Sequence, residues 1–127
     1  MELTSGAFDS DYYNSFESMD HETMKMLKEY SVDNPEVLKD IFDSFGPESA
    51  ELIERLKFAL EKKDFEILRY AAHAMAGICG SVGALRLRKI SMDIEQMIKS
   101  GNNLEASKIA ENIFPAYDEY IDLITNF

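Results

Sequence analysis

An all-α fold, an antiparallel four-helix bundle with a short extra N-terminal helix, is what the sequence predicts. Three observations carry that expectation. Apolar residues recur at spacings of three and four through several long stretches, the pattern of a helix buried on one face. Glycine, proline, Asn and Asp fall at the joints between those stretches. No stretch alternates with period two, so no strand is expected. Helices of about four to six turns joined by short turns favour the bundle.

The elements follow in order. Residues 1–17 are polar and acidic, with Ser, Asp, Gly and two tyrosines, and read as a flexible acidic lead-in whose aromatic residues could dock. A short helix is expected over about 20–30, with Met24, Leu27 and Tyr30 facing inward. Asn34-Pro35-Glu36 is a helix start: Asn as N-cap, Pro at the first helical position, an acid in the first turn. Leu38, Phe45, Leu52 and Ala59 then recur every seven residues, with Ile41, Phe42, Ile53 and Leu56 filling the stripe. That phase survives Gly46-Pro47, which indicates a kinked helix; two collinear helices broken near Gly46 are the alternative.

Asp64 is the next expected N-cap. Behind it Phe65, Leu68, Ala72, Met75, Cys79 and Val82 form the narrow seam of a bundle helix. Gly83 ends it with a tight turn. Leu87, Ile90, Ile94 and Met97 continue in the following helix, which Gly101 stops. The last helix carries Ala106, Ile109, Ile113, Tyr117, Tyr120 and Ile124, bent at Pro115.

Composition narrows the function. The chain has 127 residues, enough for one modest core, and 46% are apolar. No apolar run approaches the roughly 18 residues of a membrane span, and no basic-then-apolar leader is visible. Cys79 is the single cysteine, so a reducing, cytoplasmic setting is expected. The net charge of −11 argues against a nucleic-acid partner. Charge is uneven: residues 1–50 hold 12 acidic and 3 basic side chains, a net of −9. From residue 69 to 99 the balance reverses, with Arg69, Arg86, Arg88, Lys89 and Lys99 against Asp93 and Glu95.

His73 lies in that basic island. Helical geometry of about 100° per residue points it about 130° away from the seam, toward solvent. Its neighbours one and two turns away are Arg69, Ala76, Gly77 and Gly80. Each helical glycine costs about 0.8–1 kcal/mol relative to alanine. Close packing of another helix of the same chain would explain such glycines. On the solvent side they instead suggest that another protein's backbone approaches the imidazole. No Ser, Cys or Asp stands at an obvious triad spacing, and His21, the other histidine, is peripheral. Neither a Glu-x-x-His pair nor a His-Glu-x-x-His motif is present, so no metal is expected. Cys79 reads as a small buried hydrophobe. Phosphoryl acceptance by a solitary, neutral imidazole remains.

From about residue 34 to 127 the chain resembles the histidine phosphotransfer (HPt) domains of bacterial multistep phosphorelays. The family pattern is approximately His-x-Leu-Lys-Gly-Ser-x-x-x-x-Gly-Ala, then an apolar helix ending Leu-Glu. His73 matches the phosphorylated histidine, Met75 the leucine, Gly77 the glycine, and Gly83 with Ala84 the Gly-Ala pair. Leu87, Ile90, Ile94 and Glu95 fall at the family's spacing. Lys62, Lys63, Asp64 and Phe65 stand where the family turns between its second and third helices. Two positions depart: the family's lysine is Ala76 and its serine is Ile78.

The resemblance implies an HPt-like bundle over 18–127 that is a phosphocarrier rather than an enzyme, standing alone or within a hybrid sensor kinase. His73 would accept a phosphoryl group from one receiver-domain aspartate and pass it to another. The expected docking face holds Arg69, Tyr70, Ala76, Gly77, Gly80, Arg86 and Arg88, and Arg69 is the expected substitute for the missing lysine, with Arg86 or Arg88 as the alternative. No cofactor of its own is implied, since Mg2+ would sit on the receiver. Partners would be response-regulator receivers and a hybrid sensor histidine kinase, and the domain itself would be a cytoplasmic monomer. The competing reading is an HPt-like docking module that is never phosphorylated; a small enzyme or metal-binding bundle fits poorly.

Overall fold

A computed structural model describes residues 8–126. Among the described residues seven helices follow one another: α1 Ser10–Asn14, α2 His21–Asp33, α3 Pro35–Lys62, α4 Phe65–Val82, α5 Leu85–Lys99, α6 Asn103–Ala110 and α7 Ile113–Thr125. Among the described residues there is no strand. The bundle consists of α3, α4, α5 and the α6–α7 pair, with α4 packed most extensively on α5 and on α3, and α7 closing against α3 and α5.

The expected seam is the core. Leu68, Ala72, Met75, Cys79 and Val82 of α4 are fully buried, as are Leu87, Ile90 and Ile94 of α5. Burying such Leu and Ile side chains contributes roughly 1.5–3 kcal/mol each. Ile109, Ile113 and Tyr120 complete the interior from the C-terminal pair. Tyrosine hydroxyls tie α7 across the bundle: that of Tyr120 donates to the Val82 carbonyl, and Tyr117 and Ser49 share a hydroxyl hydrogen bond of 2.9 Å.

Turn chemistry sets the joints. Asp64 caps α4, its carboxylate accepting from the Ile67 N–H at 3.1 Å. Gly83 ends the same helix in the left-handed region at φ 68°, where a side chain would be strained and would press on Thr23 and the Asp20 carbonyl. With Ala84 it makes the two-residue turn that folds α5 back on α4. The Gly83 carbonyl accepts from the Asp20 N–H at 2.7 Å, which anchors the start of α2 at this end of the bundle.

α3 is one helix through Pro47, as the preserved phase indicates, and the Ser49 hydroxyl bonds the Gly46 carbonyl beside it. Other expectations change. The last helix is two: α6 ends at Ala110 and α7 begins at Ile113, so the interruption precedes Pro115. Asn34 precedes Pro35 as expected, but its side-chain amide turns back to the Tyr30 carbonyl and closes α2 instead of capping α3. On α2, Met24 is buried and Leu27 half-buried, whereas Tyr30 is exposed.

Of the acidic segment 1–17, expected as a flexible lead-in whose aromatic residues could dock, residues 1–7 lie outside the described residues. Residues 10–14 form α1, capped by Asp9, and Tyr13 is 1% exposed. The Tyr13 hydroxyl donates to Asp93 of α5 at 2.9 Å. Burial, and then that bond to a carboxylate, raise the hydroxyl's pKa well above the ordinary tyrosine value. Arg86 at the start of α5 donates from its Nε to the Phe16 carbonyl at 2.9 Å and from its backbone N–H to the Glu17 carbonyl at 3.1 Å. An acidic composition concealed a strap held by aromatic burial and by arginine.

Candidate functional site

His73 stands on α4 with its side chain 71% exposed. The seam behind it fixes the helix, so the ring projects from a rigid base. Its Nδ1 lies 2.9 and 3.1 Å from the two carboxylate oxygens of Glu95 on α5. An ionised carboxylate only accepts, so Nδ1 carries the proton in this bond. The neutral ring is thereby the Nδ1–H tautomer, and Nε2 keeps its lone pair.

Glu95 is only 14% exposed and also accepts from Lys99, one turn on, at 3.4 Å. Burial alone would raise its pKa. The hydrogen bonds from His73 and Lys99, with the positive charge of Lys99 and of His73 when it is protonated, outweigh that and hold the carboxyl below its ordinary range. Glu95 was placed by the family pattern but not assigned a part in the site. A signal for it exists: reflecting His73 through the Gly83–Ala84 turn lands within about one residue of Glu95 on an antiparallel partner.

The small residues divide clearly. A Cβ added at Gly77 would meet nothing within 4 Å. At Gly80 it would meet only the Arg88 side chain, 3.7 Å from its Nε, an ordinary contact. Neither glycine is needed for packing within this chain. Ala76 is half-buried beside them. The result is a low surface beside the imidazole.

The basic residues divide too. Arg88 is exposed and lies over Gly80 on this face. Arg69 stacks its guanidinium on Tyr70, 4.6 Å from the ring centroid, and among the described residues no hydrogen bond or ion pair joins it to His73. Tyr70 is exposed and edges a groove between α3 and α4 that also involves Leu52, Ile67 and Ala74. Arg86 leaves the expected face: its side chain is 12% exposed and is committed to Phe16 and to Glu119 on α7, at 2.6 Å. Cys79 is fully buried, and burial pushes its thiol up to about 12. Among the described residues no three His, Cys, Asp or Glu side chains could gather a metal ion, and no helix is long and apolar enough to cross a membrane.

No curated protein and no solved structure matches the chain. The family model of the Hpt domain matches residues 40–126, more than half of the sequence. That span holds the whole four-helix bundle from the first turns of α3 onward, together with His73 and Glu95, and leaves out α1 and α2. The chain belongs to the Hpt domain family, the histidine phosphotransfer modules of two-component signalling.

Proposed function

We propose that this protein is a phosphocarrier that relays a phosphoryl group between receiver-domain aspartates through Nε2 of His73. The single observation that carries the reading is the His73–Glu95 pair on an otherwise bare helix face. Nε2 attacks the phosphorus of a receiver's aspartyl phosphate. The N–P bond forms as the P–O bond breaks, and the aspartate leaves as a carboxylate. The ring gains positive charge, which the Glu95 carboxylate faces through Nδ1–H. The reverse step hands the group to a second receiver. Mg2+ and most stabilisation of the transferring group belong to the receiver.

Gly77 and Gly80 admit the partner, and Arg69, Tyr70, Ala76 and Arg88 border its approach. Arg86 is excluded from this role by its commitment to the strap. The carrier works as a cytoplasmic monomer, alone or attached to a hybrid sensor kinase, and has no cofactor of its own.

The test is incubation with receiver domains of its own system, charged with acyl phosphate and Mg2+, and separately with phosphoramidate. Acid-labile, alkali-stable label that disappears in His73→Gln is the expected result. One observation favours a second reading: Ala76 stands where the family has lysine. A docking module that is never phosphorylated would bind receivers yet stay unlabelled with every donor.

A further inference from the structure

The family's lysine is absent from α4, yet a lysine reaches the site from α5. Lys99 Nζ lies 3.4 Å from Glu95 Oε2, the same oxygen that stands 2.9 Å from His73 Nδ1. We infer that Lys99 is the charge-compensating residue of the phosphoryl-acceptor site, acting through Glu95 in place of the lysine that Ala76 replaces. The inference rests on His73 being the phosphoryl acceptor.

Most exposed i,i+4 ion pairs contribute little. Lys39–Asp43 is of that kind, with side chains 71% and 61% exposed. Lys99–Glu95 differs because the carboxylate is largely withdrawn from water and is already engaged by the reactive histidine. A neutral His73 offers that carboxylate a hydrogen bond but no charge. Lys99 supplies the charge, with Glu on the N-terminal side of Lys, the favourable order in a helix. The other cations are placed elsewhere. Arg69 stacks on Tyr70, Arg86 holds Phe16 and Glu119, and Arg88 lies over Gly80, about 10 Å along the helix from His73.

The electrostatics follow from distance. A phosphoryl group on Nε2 sits on the side of the ring away from Glu95 and carries up to about two negative charges. At that range it feels the net charge of the Glu95–Lys99 unit, close to zero with Lys99 and −1 without it. The short Nδ1–H bond is local and survives in either case. Lys99 therefore removes repulsion toward the incoming group while leaving the tautomer of His73 in the hands of Glu95.

The experiment measures the rate of His73 phosphorylation by phosphoramidate and by charged receivers in Lys99→Met, Lys99→Arg, Glu95→Gln and Glu95→Gln/Lys99→Met, with circular dichroism to verify folding. Lys99→Met is expected to slow uptake roughly two- to fivefold, and Lys99→Arg to retain the native rate. The Glu95→Gln/Lys99→Met pair is neutral, as the wild-type pair is, so it should take up the phosphoryl group faster than Lys99→Met alone. The Lys99→Met deficit relative to wild type should also shrink near 1 M salt, where the screening length is about 3 Å. An unchanged rate in Lys99→Met, or a double variant no faster than Lys99→Met alone, overturns the proposal. A loss with Arg69→Ala toward phosphoramidate, beside normal Lys99→Met, overturns it by assigning the role to Arg69. Wild-type protein that no donor labels removes the acceptor reading itself, and this inference with it.

Discussion

Glu95 Oε2 and His73 Nδ1 meet at 2.9 Å across the α4–α5 interface, although 22 residues separate them in the chain. The pair assigns one nitrogen of the ring to structure and frees the other for chemistry. Its consequence is positional: under the proposed function, a phosphoryl group is directed to Nε2.

Glu95→Ala removes the acceptor that holds the Nδ1–H tautomer. Both tautomers of the neutral ring then become populated, and phosphoramidate is expected to give a mixture of Nε2 and Nδ1 products at a rate lowered about tenfold, the worth of one charge-assisted hydrogen bond. Glu95→Gln keeps an acceptor oxygen and should retain Nε2 selectivity. Phosphorus NMR of the isolated phosphoprotein distinguishes the isomers; a pure Nε2 product from Glu95→Ala would show that Glu95 does not choose the nitrogen.

The same carboxyl makes stability depend on pH with a definite sign. Its folded-state pKa lies below the ordinary glutamate value of 4.5 because the bonds and charge of His73 and Lys99 overcome burial. The unfolded chain therefore takes up this proton first as pH falls. The stabilisation is complete above about 4.5 and is lost as pH drops through the folded value. In urea titrations the advantage of wild type over Glu95→Gln should be constant near neutrality and shrink below pH 4.5. An advantage that grows on acidification would contradict this.

Gly77 should separate folding from exchange with a partner. Because an added Cβ meets nothing within 4 Å, Gly77→Ala is expected to stabilise the domain by about 0.8–1 kcal/mol through helix propensity. Gly77→Gln, or Gly80→Gln beside it, should slow transfer from a charged receiver while leaving the helix content unchanged. Thermal melts and transfer assays read the two effects independently. Normal receiver transfer in both glutamine variants would end the close-approach reading of these glycines.

The strap gives a stability test remote from His73. Tyr13→Phe keeps the buried ring but deletes the hydroxyl that Asp93 accepts from. Lys89 still reaches Asp93 at 3.1 Å, so the expected cost is about 1 kcal/mol. Tyr13→Ala also empties a core position and should cost about 3–5 kcal/mol. Denaturant midpoints check both, and a Tyr13→Ala midpoint equal to wild type would mean the strap contributes nothing to folding.

Much of the bundle is legible in the sequence because its determinants are local. The α4 seam from Leu68 to Val82 is a periodic pattern within one helix, and each of its expected positions after Phe65 is fully buried. Asp64 and Gly83 act on backbone groups within a few residues of themselves, so their capping roles are readable directly. The solvent-facing position of His73 follows from the same periodicity. The open space at Gly77 fits the expectation that such glycines are not spent on packing within the chain.

What the sequence by itself determined is therefore the helices, the seam and the exposed histidine with its small neighbours. Tertiary structure alone decided which charged side chains join that histidine. Arg69 is nearer to it in the chain, but the Gly83–Ala84 turn sets the α4–α5 register and brings Glu95, and through it Lys99, to the ring. It likewise decided that Arg86 holds the strap and that Tyr13 belongs to the core. The physical reason is the same in each case. Periodicity and caps depend on neighbours within a turn or two, whereas an ion pair or a buried hydroxyl depends on how two helices slide and rotate against each other.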